Sequence, residues 1–161
     1  MKGYAVASIL MLLGVLLLGG GASAQTPPPG PSVVQGRRDL RFNTVIAGFP
    51  TTVTWDSTQA GQWRIRGRRG AEVQLDFVNL PVSLQNGVYE MPVVFAMTDA
   101  AWRSPGGSGT VVFDPAVGAT ARFGRSGQII IYIGGTARPP FNQQPGDYVA
   151  DIDIDVYYTG N

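Results

Sequence analysis

Glu72-Val-Gln-Leu-Asp-Phe77 places Val73, Leu75 and Phe77 on one side of an extended chain and Glu72, Gln74 and Asp76 on the other, because successive side chains of a strand point to opposite faces. One face belongs in a core and the other in water. The same alternation returns near the C-terminus, where Asp151, Asp153 and Asp155 oppose Ile152, Ile154 and Val156. A slip of one residue there would bury all three aspartates, so the register is expected to be tightly set. Residues 128–133 are apolar on both faces and are expected to form a central strand.

Working outward, short runs rich in Val, Ile, Thr, Phe and Tyr read as strands over 40–47, 51–55, 62–66, 72–78, 88–97, 110–113, 119–123, 128–133 and 147–158. Turn signals separate them. Gly67 to Gly70 brackets an arginine pair, Asn86-Gly87 suits a hairpin turn needing positive φ, and Gly106 to Gly109 is too flexible for an element. Gly134-Gly135 and Pro139-Pro140 are read as ending the most apolar strand, and 99–109 as a loop. Residues 25–161 show no helical periodicity. Many short strands with frequent turns predict an all-β fold of two antiparallel sheets packed face to face.

The start of the chain has a different character. Lys2, an apolar run of about 14 residues over 5–18 and Ala22-Ser23-Ala24 give the charged, apolar and small-residue parts of a secretory signal peptide, with the cut expected after Ala24. The run falls short of the roughly 18 residues a spanning helix needs, so no membrane span is expected after cleavage. The protein is thus expected to be exported, to the periplasm, the cell surface or the medium. A Pro-rich leader over 25–38 follows, beginning TPPPGPS, and favours an extended polyproline conformation. Residues 39–161 are expected to form one domain.

Composition removes most familiar chemistry. The chain has no Cys and no His, hence no disulfide, no Ser-His-Asp triad, no Cys-His dyad and no imidazole or thiolate for zinc or copper. No catalytic residue, cofactor or metal ligand is expected, and the protein is not read as an enzyme. Once Lys2 leaves with the signal, eleven Arg face eleven Asp and Glu. That balance gives no general pull towards nucleic acid or an anionic membrane.

Leu40-Arg41-Phe42 with Val45 to Gly48, Ile133-Gly134-Gly135-Thr136, and Pro145-Gly146-Asp147-Tyr148 leading into a strand that closes on Tyr157-Tyr158 together carry a resemblance. In these elements, spread over residues 40–158, the chain resembles an uncharacterised family of exported bacterial domains similar to spore-coat protein U and fimbrial adhesin-like subunits. The resemblance implies an immunoglobulin-like β-sandwich, often truncated by one strand in pilus subunits and completed by a strand from a neighbour or a chaperone. Two features depart from the fimbrial pattern. The N-terminal arm is Pro-rich with only Val33 and Val34 apolar, adjacent rather than alternating, and the disulfide common in fimbrial subunits has no cysteines to form it.

Three groups of residues are candidates for binding. Arg64, Arg66 and Arg68 form a basic stripe beside Trp63 and Ile65, and Asp151, Asp153 and Asp155 form an acidic one. Strand residues two apart sit about 7 Å from each other, too far for three carboxylates to close on one calcium ion. The stripes are expected to pair across neighbouring strands or to choose a partner between molecules. Val33 and Val34 are the arm residues that would fill a neighbour's groove. Trp102, read as exposed on the 99–109 loop, is the candidate for stacking on a surface glycan. The expected function is a secreted structural or adhesive surface protein using strand complementation, through self-association or a periplasmic chaperone; the alternative is a self-contained carbohydrate-binding module.

Overall fold

Alternating apolar positions pull the chain into strands, and Gly, Pro and Asp interrupt it between them. The computed structural model describes residues 33–107 and 109–160, so the signal segment and residues 25–32 of the leader lie outside the described residues. The strands are β1 (Val33–Arg38), β2 (Thr51–Val53), β3 (Gly61–Arg66), β4 (Glu72–Asn79), β5 (Ser83–Asn86) and β6 (Tyr89–Val94). They continue as β7 (Ala100–Arg103), β8 (Thr110–Phe113), β9 (Ala119–Arg122), β10 (Gln128–Ile133), β11 (Gly135–Ala137) and β12 (Asp153–Tyr158). No helix occurs among the described residues, and the ladders are antiparallel.

The strands order as β1-β3-β10-β7-β8, β2-β11-β6-β5 and β12-β4-β9. β10 takes the middle of the five-stranded sheet, as its two apolar faces require. Ile129, Ile131 and Ile133 are fully buried on its inner side, and outward-facing Ile130 is only 7% exposed. Arg64 and Arg103 flank Ile130 in register, and arginine stems cover apolar surface while their heads reach water.

The core fills the space between the five- and three-stranded sheets. Ile65, Ala100, Phe113, Ile129 and Ile131 come from the first, and Val73, Leu75 and Ala121 from the second. Phe77 links the layers, meeting Trp63 edge to face at 5.8 Å and stacking with Phe113 at 6.2 Å. Such aromatic pairs contribute about 0.5–1.5 kcal/mol each beyond their buried area. Two antiparallel layers closing on one apolar core are consistent with a β-sandwich.

The central strand ends at Ile133, as the Gly134-Gly135 pair predicts, and the chain then re-enters a strand with new partners. β10 lies between β3 and β7; past Gly134 the chain continues as β11 between β2 and β6. A Cβ at Gly134 would run into the Val53 carbonyl oxygen and the Thr54 backbone, so the crossing depends on a residue without one.

Four other expectations change. Residues 40–47 form no strand: Asn43 sits at φ 53 and Gly48 at φ 80, and left-handed residues break an extended ladder. Residues 33–38, assigned above to the leader, are β1. The last strand begins at Asp153 rather than 147. The 99–109 loop contains β7, and β5, unmarked by its sequence, pairs with β6 around a two-residue turn in which Gly87 has φ 58.

Candidate functional site

Two irregular stretches face each other across a cavity. Residues 39–50 carry no ladder, and 138–152 carry only the bridge between Val149 and Gln85. Arg41 N–H donates to Gln59 O, in the turn between β2 and β3, at 3.0 Å, and Gly48 N–H donates to Pro139 O at 3.1 Å. A groove of about 1060 Å³ opens between the two stretches, with Trp63, Leu84, Met91, Val93 and Phe95 among its apolar lining. Gln143 also lines it. Its Nε2 donates to Glu90 O at 3.2 Å, while its Oε1 is buried with no donor among the described residues.

The groove runs beside one sheet edge and stops just short of another. β1 ends the five-stranded sheet and β12 ends the three-stranded one. Gly36 and Arg38 of β1 line one wall, and Asp151 and Ile152, just ahead of β12, line the other. Edges of this kind present unpaired backbone groups to any extended chain that reaches them. Val33 and Val34 pair within the chain, Val33 in register with Arg66 and Val34 with Ile65. β1 therefore forms a wall of the groove and does not fill it.

No family model, curated protein or solved structure matches the chain.

The two charged stripes do not meet. β3, which carries Arg64 and Arg66, has β1 and β10 as neighbours, whereas β12, which carries Asp153 and Asp155, pairs with β4 alone among the described residues. Their expected cross-strand pairing is thus replaced by two separate faces. Arg64 is half-buried, with a buried Nε that has no acceptor among the described residues, and Arg66 is exposed. Arg68 leaves this face in the turn after β3, where its N–H donates to Tyr158 Oη at 3.0 Å and ties the turn to the last strand.

Arg103, missed because β7 reads as a loop, joins Arg64 across Ile130. Its Nε donates to Tyr132 Oη at 2.8 Å, and its guanidinium carbon lies 5.8 Å from that ring's centroid. On the opposite layer, Asp155 stands in register with Asp76, and Asn79 Nδ2 donates to Asp153 Oδ2 at 3.4 Å. Tyr157 Oη donates to Asp76 Oδ2 at 2.9 Å. That hydrogen bond, then loss of solvent and the charges of Asp76 and Asp155, raises the Tyr157 pKa above 10.0. Among the described residues, no group of three or more Asp and Glu is placed to hold a metal ion.

Trp102 is not an exposed loop residue. It lies on β7, packs against the core, and keeps its Nε1 buried without an acceptor among the described residues. Its ring faces inward with Ile131, its register partner, on the inner side of the sheet. The ring expected to stack on a glycan is thus partly buried against the core rather than presented on a loop.

Proposed function

We propose that the protein is an exported structural or adhesive subunit of the bacterial surface, an immunoglobulin-like sandwich that takes an extended strand from another chain into its groove. The observation that carries this reading is the groove of mixed polar and apolar lining that opens beside the edge strand β1. Strand addition uses backbone hydrogen bonds for affinity and alternate side chains for specificity, and the groove supplies both kinds of contact. Leu84 and Phe95, both partly exposed, offer apolar surface to such a strand.

The occupant is a strand of a different exported protein, either a neighbouring subunit or a periplasmic chaperone. The chain's own arm is a poor donor. Residues 33–38 are already paired with β3, and Pro27, Pro28, Pro29 and Pro31 ahead of them lack backbone donors. The signal-peptide-like start of the sequence and its resemblance to the spore-coat U and fimbrial pattern support the same reading.

Fractionation of cells producing the full chain and its variants at two groove-lining residues, Leu84→Glu and Val45→Glu, tests it, with folding of each variant verified by circular dichroism. The expected wild-type product is processed ahead of Gln25 and recovered in a high-mass surface fraction, with the folded variants processed alike but lost from that fraction. Unprocessed cytoplasmic protein, or equal surface retention of all three forms, would overturn the reading.

A further inference from the structure

The two outer faces carry opposite charge, and each is almost uniform in sign. On the five-stranded sheet, the outward positions Gln62, Arg64 and Arg66 of β3, Gln128, Ile130 and Tyr132 of β10, and Ala101 and Arg103 of β7 include three arginines and no carboxylate. On the three-stranded sheet, the outward positions Asp76, Asp153 and Asp155 cluster where β4 meets β12. The one cation on an outward strand position of that face, Arg122, sits at its far end, in register with Glu72 and with its Nε bonded to Gly70 O at 2.8 Å. The core between the layers keeps these faces apart, so the chain cannot neutralise one with the other.

We infer that the arginine face of one copy docks on the aspartate face of a second copy, so that molecules stack face to back. Complementary patches on opposite sides of one molecule make a heterologous contact, and repeating it builds an open array unless rotation closes a ring. The arrangement also has a local cost that stacking would relieve. Asp155 directly opposes Asp76, and like charges in that position destabilise a ladder; an arginine placed over the pair would turn repulsion into attraction. Near-zero net charge outside the signal leaves little general repulsion to hold copies apart.

This inference rests on the reading of the chain as an assembling subunit, but it uses a different surface from the groove. The test is light scattering of the mature wild-type chain at low and high salt, beside two charge reversals, Arg66→Glu/Arg103→Glu and Asp153→Lys/Asp155→Lys. Wild type is expected to associate at low salt and to weaken by about tenfold or more in high salt, since exposed charges are screened within about 3 Å at 1 M. Each reversed variant is expected to remain monomeric, and an equal mixture of the two to associate again. The Leu84→Glu groove variant is expected to associate as wild type does. A wild type that is monomeric at low salt, association indifferent to both reversals, or association lost only in Leu84→Glu would overturn the stacking contact, and the last would leave the groove reading standing. Binding of a soluble polyanion by a non-associating wild type would assign the arginine face to that polymer and overturn it equally.

Discussion

Asp155 and Asp76 face each other in register across β12 and β4, and Tyr157 Oη, two residues on from Asp155, donates to Asp76 Oδ2 at 2.9 Å. Gln74 Nε2 holds the other oxygen of Asp76 at 2.8 Å. Asp76 is thus fixed by neutral donors while Asp155 stands against it. Cross-strand pairs contribute about 0.2–1 kcal/mol, and like charges act against pairing. Asp155→Asn is expected to stabilise the isolated domain by about that amount, seen as a higher urea midpoint at unchanged slope. A lower midpoint would mean that Asp155 is held by attraction the register does not account for.

Tyr157 ties this face to alkaline pH. Its raised pKa means that the folded state keeps the phenolic proton to higher pH than the unfolded chain does. The associated stability is complete below the unfolded value of 10.0 and declines as pH rises through the folded value. Thermal melts of wild type and Tyr157→Phe above about pH 10 isolate this part from the other tyrosines. Wild type is expected to lose melting temperature more steeply; parallel curves would remove Tyr157 from the account.

Ile131 is fully buried between Trp63 on β3 and Trp102 on β7. Ile131→Ala is expected to cost about 2–5 kcal/mol in denaturant unfolding, from lost burial and a cavity that the flanking rings only partly fill. A cost within the range of surface substitutions, about 0.5 kcal/mol, would mean that the two layers do not share this core.

Gly134→Ala probes the change of partners after the central strand. Its new methyl would meet the Val53 carbonyl and the Thr54 backbone, which cannot move aside as a flexible side chain can. The expected loss is about 1–3 kcal/mol, typical of overpacking. A neutral result in the same unfolding assay would show that β2 is not held this closely to β11.

Much of this architecture is legible in the residues. The alternation of Glu72 to Phe77 gives the inner face of β4, the two-sided apolar run at 128–133 gives the central strand, and Asn86-Gly87 gives a real hairpin turn. What escaped reading has local causes. β7 begins Ala100-Ala101, small residues of weak strand propensity that suit a tightly covered sheet position, so by sequence Trp102 reads as a loop residue and Arg103 carries no strand signal. Residues 40–47 have strand composition, but Asn43 adopts a left-handed conformation that the sequence does not announce. The groove follows from that break and from the late start of β12. Which stripe pairs with which strand is set by topology, and the separation of arginines from aspartates was therefore out of reach of spacing arguments.

Backbone hydrogen exchange along residues 39–47 and 144–152 tests the central claim most directly, comparing protein drawn from the assembled surface fraction with the same chain refolded alone. Strand addition predicts slow exchange on the edge amides of these stretches in the assembled form, fast exchange in the refolded monomer, and little change on β10. Equal exchange along both stretches in the two forms would contradict it, because no backbone would then have entered the groove.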